Sequence, residues 1–465
     1  MNLPPNSSQQ QQRLVSDINI RLRKFFERRG YELFSTSMLE RTDLYLKKSG
    51  GELASRMYSF TDPSGAEVSM RPEFTSSVVK NYVSGLLKGP LPQRWTYSGS
   101  VFRYEPGFSG EFQQIGAELL GAGSSDADAE IVAMASQSLS TIGIRGHKIR
   151  IGHMGVVSEM LECLGLSKRA GVFLLRNIPQ LRTGEAGLAQ IRESASRFGL
   201  LSSGNNSDLA RITREMPQQD VMQMIKDFIG DGMHGALGQR TSEEIISRYL
   251  EKLREEGQAE FFDIAIELCK ELIALAGPPL VARKKLTKLA KAYSIPENVF
   301  DPIDSFFDSL GHYDMKNVPL ILDLASARGI AYYTGIIFDI ENPRIKIGRS
   351  IGGGGRYDGL IEALGGKKSL PAMGFALNLE QVANLLPKDY DLDLEETPSK
   401  ILVTAQETAM SEAVATAERL RAQGFFAEID LECKDDASAA KYAKRRDIQT
   451  IMRVGQDGQV NEQFI

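Results

Sequence analysis

From Leu14 to Arg28 the apolar residues Ile18, Ile20, Leu22, Phe25 and Phe26 recur at mostly helical spacing, and Gly30 closes the run. That pattern predicts a helix. Residues 31–39 predict a short strand. Residues 57–60 and 67–70 flank Asp62-Pro63-Ser64-Gly65, a turn sequence, and predict a hairpin. Residues 75–87 read as helix. Two longer strand patterns, 94–104 and 111–120, flank a loop containing Pro106, Gly107 and Gly110, which suggests an antiparallel pair. Residues 126–142 predict a helix with a buried stripe of Ile131, Met134, Leu139 and Ile142. Its first acids, Asp126, Asp128 and Glu130, are expected to complement the helix dipole.

From about residue 161 to 316 the pattern becomes mostly helical, with interleaved charges and glycine-rich interruptions at 200–206 and 230–238. This stretch reads as an inserted helical module. Strand patterns return at 318–324, 336–341 and 345–351. A glycine-rich turn, 352–355, then leads into Arg356-Tyr357-Asp358, and 371–386 read as a strand running into a helix. Residues 387–398 are acidic, carry two prolines and predict a linker. Beyond it, 401–404, 411–423, 426–431, 437–446 and 448–454 alternate strand and helix, the pattern of a small parallel α/β domain.

Composition narrows the class. The 465 residues are 42% hydrophobic and 25% charged, with 55 Lys plus Arg against 60 Asp plus Glu and a net charge of −5. A polybasic or disordered chain is excluded, while a local basic face for RNA is not. Cys163, Cys269 and Cys433 lie far apart with no C-x-x-C pair, and His147, His153, His234 and His312 show no ligand spacing. A disulfide framework and a zinc site are not expected, a reducing cytoplasm is, and no metal ligands are assigned. No run of about 18 apolar residues predicts a membrane span. The polar leader reads as a loose extension before the first helix.

Candidate chemistry begins with Gln114, Gly116 and Glu118. At period two they share one strand face, a polar–glycine–acid row that suggests either a pocket floor with room for a ligand or a solvated sheet face. Arg103, in Phe102-Arg103-Tyr104-Glu105, suits a phosphate or carboxylate, or an ion pair with Glu105. Glu73, in Arg71-Pro72-Glu73, stands just before a helix start, as a ligand group or a helix cap. In Arg328-Gly329-Ile330-Ala331-Tyr332-Tyr333, a strand would send the two tyrosines to opposite faces. Gly352–Gly355 fits neither the P-loop nor the dinucleotide fingerprint, and a tight hairpin turn explains it equally well.

The joint order of these segments resembles the class II aminoacyl-tRNA synthetases, in the histidyl-tRNA synthetase branch. Arg71-Pro72-Glu73 resembles that family's R-P-E segment. Phe102–Glu105 with Phe112–Glu118 resembles its second motif. Arg328–Tyr333 and Gly354-Gly355-Arg356-Tyr357-Asp358-Gly359-Leu360 resemble its two histidine signatures, and Pro371–Ala376 resembles the start of its third motif.

The resemblance implies an α+β fold: an antiparallel sheet core flanked by helices, split as 1–160 and 317–390 around a helical insertion at 161–316. A short anticodon-binding-like α/β domain at 398–465 follows. It also implies ATP-dependent activation of histidine and transfer to tRNA(His), by a cytoplasmic homodimer using Mg2+. Glu73 and Gln114 would hold the histidine ammonium. Glu118, Tyr333 and Tyr332 would complete the histidine site. Arg103 and Arg328 would clamp the reacting phosphate, with Arg103, Glu105 and Gly374 at ATP. Candidates for RNA contact are Lys441, Lys444, Arg445 and Arg446 on the tail helix, or the insertion, although a basic run at a helix C-terminus equally complements the dipole.

The sequence departs from the family pattern at Ser37 (usually proline), at Ala331 (usually aspartate), in the short loop 106–110, which carries no arginine, and at Gln381, where the third motif normally has arginine. The tail also ends about a strand and a helix short of a full anticodon domain. These departures imply an alternative, a non-ligating histidine binder such as the regulatory subunit of ATP phosphoribosyltransferase.

Overall fold

The computed structural model describes residues 9–47, 53–87, 89–104, 110–201, 259–326, 332–345, 350–387, 390, 399–432 and 435–464. The chain forms two compact units. The first comprises Met1–Val156, Gly277–Arg283 and Asn298–Ile465, and the second Val157–Ala276 and Lys284–Glu297.

The first unit is built on an eight-stranded sheet. Its strands are β1 (Glu32–Leu33), β5 (Gln93–Phe102), β6 (Glu111–Leu120), β7 (Lys148–His153), β8 (Leu320–Leu322), β9 (Ile336–Glu341), β10 (Gly352–Arg356) and β11 (Ala372–Asn378). Their spatial order is β1-β5-β6-β11-β10-β9-β7-β8. The pairs from β5 through β11, β10 and β9 to β7 are all antiparallel. A separate three-stranded sheet, ordered β2-β4-β3, is made of β2 (Leu39–Arg41), β3 (Ser59–Thr61) and β4 (Glu67–Met70).

Register decides what each face of the large sheet carries, because directly opposed residues project to the same side. Glu118 opposes Trp95 on β5 and Gly374 on β11, and Gly116 opposes Tyr97 and Ala376. Gly374 in turn opposes Gly355 on β10. One face is therefore aromatic and polar at β5 and β6 and nearly bare at β10 and β11. The other face carries Ile115, Ala117, Leu119, Met373, Phe375, Leu377, Phe338 and Ile340. These residues form one apolar core with residues of helices Gln9–Glu27, Ser125–Thr141 and Asp301–Leu310.

Helix Ser125–Thr141 starts where Ser124 Oγ accepts from the Ala127 N–H at 3.3 Å, and it is buried along most of its length rather than on one stripe. Burial changes the role of two of its acids. Asp128 and Glu130 face buried arginines, Arg356 and Arg94, instead of serving only the dipole.

The C-terminal sheet, β13-β12-β14-β15, joins β12 (Lys400–Ala405), β13 (Phe426–Ile429) and β14 (Thr450–Val454) in parallel. It adds an antiparallel edge strand, β15 (Val460–Phe464), that the sequence pattern had not indicated. Ile401, Val403, Ala413 and Ile429 belong to the same apolar cluster as the large sheet. The junction is ionic as well. Arg94 on β5, 1% exposed, donates to Glu428 at 2.7 Å and to the Ile429 carbonyl at 2.9 Å, and lies 3.5 Å from Glu130. Arg446 binds Glu32, Glu428 and the Gly30 carbonyl. That corrects the expectation of Arg446 as an RNA contact, since its guanidinium is committed to Glu32, Glu428 and a backbone carbonyl.

Two further expectations change, and a third is covered only in part. Gly352–Gly355 is not a turn but most of the fully buried central strand β10. Of the strand read at 345–351, residues 346–349 lie outside the described ones, and the ladder starts at Gly352. Residues 31–39 split into β1, parallel to β5, and the approach to β2 in the other sheet.

In the second unit, helices Lys168–Leu181 and Glu185–Arg197 pack with Ala259–Ala274. Ser167 caps the first by accepting from Ala170 N at 3.2 Å, and Phe173 meets Phe262 with ring centroids 6.2 Å apart. The glycine-rich interruption at 230–238 and most of that at 200–206 fall outside the described residues. The expected insertion, 161–316, is longer than this unit. Residues 298–316 lie in the first unit, where helix Asp301–Leu310 packs on Ser125–Thr141.

Candidate active site

Glu118 sits at the centre of the polar face with 0% exposure. Thr75 Oγ1 donates to its Oε1 at 2.7 Å and Tyr97 OH at 3.1 Å, while Tyr357 OH donates to its Oε2 at 2.6 Å. A carboxylate offers about four lone-pair directions. Three are used among the described residues, so the acceptor capacity left for a ligand lies on Oε2. Burial pushes this carboxyl up to about 7, with the three hydroxyls pulling the other way. The site thus holds a fully buried acid, raised toward neutrality, with acceptor capacity not used by the described residues.

Neighbouring residues explain the fit. Gly374 opposes Glu118 directly, and a Cβ there would collide with the Glu118 carboxylate. Gly116 plays the same part for Tyr97, whose ring would meet a Cβ at 2.6 Å or less. Tyr97 stacks on Phe74 at 4.3 Å with planes 10° apart. Phe74 lies under the Arg71 guanidinium at 4.1 Å. Arg71 also donates to the Thr36 and Ser100 carbonyls at 2.9 and 2.8 Å, so it clasps backbone segments together rather than facing a ligand.

Glu73 is buried, and both of its oxygens accept from the Ser76 N–H at 3.1 Å. It therefore caps helix Thr75–Val83. Burial raises its carboxyl above the ordinary value, with the Ser76 hydrogen bonds and then Arg103 pulling the other way. Cap and ligand roles are compatible, since the carboxylate keeps further lone pairs. Gln114 is buried on the same sheet face as Glu118. Arg103 lies over the Phe112 ring at 4.9 Å.

Tyr332 is buried in the aromatic cluster with Tyr97 and Tyr357, 5.7 Å from the latter's ring. Tyr333 packs against that cluster, its ring 5.0 Å from that of Tyr332. The expectation of opposed faces fails because the segment from Tyr332 to Gly335 is not a strand. Gly374, expected at ATP, is found beside Glu118. Arg328 and Glu105 lie outside the described residues.

The end of the third motif is tied to β6. Glu380 accepts from Gln113 N through both oxygens at 2.9 Å, and Asn378 Oδ1 accepts from Gln381 N at 2.9 Å. Among the described residues, no group of three or more His, Cys, Asp or Glu side chains could hold a metal ion.

The sequence singled out Glu73, Gln114, Glu118, Tyr332 and Tyr333 but missed Thr75, Tyr97 and, although its segment was noted, Tyr357. Strand alternation carried a signal for Tyr97, which shares the face of Trp95 and Gly99. Nothing local pointed to Thr75.

A family model described as histidyl-tRNA synthetase matches residues 6–230 and 232–382. A histidine–tRNA ligase of Pyrococcus furiosus is 30% identical over 441 residues, covering 94% of this chain and 86% of that protein. One from Pyrococcus horikoshii is 29% identical over 439 residues, with the same coverage. Two solved structures share the fold at low identity. A Bacillus halodurans protein described as an ATP phosphoribosyltransferase regulatory subunit/histidyl-tRNA synthetase matches at TM-score 0.55 and 19% identity, over 97% of this chain and 96% of that one. A histidyl-tRNA synthetase from Nostoc sp. PCC 7120 matches at TM-score 0.55 and 17% identity, over 99% and 95%. With Gln114 and Glu118 on one face of the sheet beside Tyr97, and the family match running through nearly all of the first 382 residues, this chain belongs to the histidyl-tRNA synthetase family.

Proposed function

We infer that the chain is a histidine–tRNA ligase. It activates histidine with ATP and transfers the histidyl group to tRNA(His). The observation that carries the reading is Glu118, a buried carboxyl held by three hydroxyls with acceptor capacity remaining. An imidazole presents an N–H to such an acceptor. A site built to satisfy it rejects analogues without that donor, because the acid is otherwise left buried and unpaired. Tyr332 and Tyr333 line the same pocket, with Glu73 and Gln114 on the ammonium side.

Activation joins a histidine carboxylate oxygen to the α-phosphorus of ATP while the bond to the leaving pyrophosphate breaks. The attacking group is already ionised, so no general base is required. Positioning and cationic stabilisation supply most of the rate. Arg103 is suited to that work, and Arg328 is its expected partner. Gly374 serves the pocket by admitting the Glu118 carboxylate. Magnesium enters with the nucleotide, as Mg·ATP. A homodimer is supported by Leu39 and Phe60, large apolar side chains exposed on the three-stranded sheet. We assign the sheet core, the insertion and the C-terminal α/β domain to catalysis, to an accessory helical role and to anticodon binding respectively, in a cytoplasmic enzyme. No helix among the described residues is long and apolar enough to cross a membrane.

One feature favours a non-ligating histidine-binding regulator. Gln381 offers no charge where the family places an ATP-gripping arginine. Histidine-dependent exchange of pyrophosphate into ATP, followed by charging of tRNA(His), separates the two. Exchange and charging are expected, and saturable histidine binding without either would refute the ligase.

A further inference from the structure

Arg356 and Tyr357 are consecutive at the end of β10, yet they serve opposite sides of the sheet. The Tyr357 hydroxyl reaches Glu118 on the pocket face. The Arg356 guanidinium turns to the helix face, where it meets Asp128 of helix Ser125–Thr141 through Nε at 2.9 Å and Nη2 at 2.6 Å. Nη1 and Nη2 also donate to the Ala122 carbonyl at 3.2 Å, and Nη1 to Asp358 at 3.1 Å. The backbone around the pair is equally committed. Thr334 N donates to the Arg356 carbonyl and Tyr357 N to the Ala372 carbonyl, both at 2.7 Å, while Ala372 N donates to Asp358 Oδ1 at 2.9 Å. Gly335 leaves the space through which the Arg356 stem passes.

From this arrangement we propose that Asp128 and Arg356 are positioning residues for histidine recognition: their buried ion pair fixes the end of β10, and so sets the Tyr357 hydroxyl that orients the Glu118 carboxylate. The proposal deepens the ligase reading and rests on it for the identity of the ligand. Neither residue touches the pocket. Both side chains are about nine-tenths buried. Desolvation pushes Asp128 up to about 6 against the pull of Arg356. A pair that loses this much to burial is a poor device for stability and a good one for geometry. The short hydrogen bond from Tyr357 to Glu118 weakens steeply with misalignment, so a small rotation at the end of β10 reaches the ligand.

The test is a double-mutant cycle of D128N and Y357F. Each protein is titrated with histidine directly and assayed for exchange at varied histidine and ATP. D128N is expected to weaken histidine binding about tenfold and to raise the KM for histidine by the same factor, leaving the KM for ATP within about twofold. In the Y357F background D128N should add little further loss, because its effect passes through that hydroxyl. D128E, which restores the charge, should recover part of the affinity. R356K keeps the charge but loses the fork, and it should reproduce the selective loss if D128N does not fold. Unchanged histidine affinity in folded D128N or R356K overturns the proposal. So does full additivity with Y357F, or an equal rise in both KM values. Direct titration requires no catalysis, so the proposal stays testable if wild-type exchange is absent and the ligase reading fails.

Discussion

Replacing Glu118 with glutamine separates the cost of the site from its use. The wild-type carboxyl is fully buried and pushed up to about 7 from an ordinary value of 4.5. The folded protein therefore holds this proton over a range where the unfolded chain has lost it. For an acid raised in this way, the stabilising proton is present below about pH 4.5 and is lost as pH rises through about 7. Between about pH 5 and pH 8 the wild type should lose roughly 2.5 kcal/mol of stability from this one group. Glutamine does not titrate, so the stability of E118Q relative to wild type should rise by that amount across the same interval. The rearrangement of the Thr75, Tyr97 and Tyr357 hydroxyls around an amide costs the same at both pH values, so it cancels in the comparison. Urea denaturation of both proteins at the two pH values measures the difference. Histidine titration should meanwhile show affinity down by about 100-fold or more, as expected for losing a hydrogen bond to a charged acceptor together with the charge itself. A stability difference that does not change with pH would refute the burial argument, and intact histidine affinity would refute the pocket assignment.

Three further outcomes follow from the same geometry. Glu428→Gln leaves the Arg94 guanidinium short of its main carboxylate partner in a dry junction and should cost about 3–5 kcal/mol in urea denaturation; a loss under about 1 kcal/mol would show that Glu130 and the Ile429 carbonyl suffice. Gly374→Ala drives a methyl into the Glu118 carboxylate and should lower histidine affinity about tenfold or more while far-ultraviolet circular dichroism stays native, with overpacking costing about 1–3 kcal/mol of stability; unaltered histidine binding would contradict the register of β6 and β11. Gln381→Arg should lower the KM for ATP by about tenfold, the worth of one charge-assisted contact to phosphate, and an unchanged KM would mean that this position does not reach the nucleotide.

The ladder from β5 to β6 was legible because alternation over two ten-residue strands is a strong local signal, and the row of Gln114, Gly116 and Glu118 came with it. So did the alternating strands and helices of the tail up to Val454. The role of Gly352–Gly355 was not legible. Four glycines look like a turn in isolation, and they are a strand here because β9 and β11 hydrogen-bond to both sides. The change to a helical pattern is a local signal, but where each helix packs is not: helix Asp301–Leu310 reads like the helices before it, and its packing on Ser125–Thr141 places it with the sheet.

What the sequence by itself determined is the set of elements, their order and the acids and aromatics held on each. Strand and helix periodicities are local, and a few residues suffice to express them. Only the tertiary structure decided which of those groups are buried against one another. Glu118 acquires its three hydroxyls from a helix start, from β5 and from the segment after β10, and Gly374 comes beside it from far along the chain. Asp128 looked like a dipole acid and Arg446 like a surface cation until long-range packing buried each against an opposite charge. Burial and register depend on contacts between distant segments, and these set both the charge state of a carboxyl and the direction in which it points.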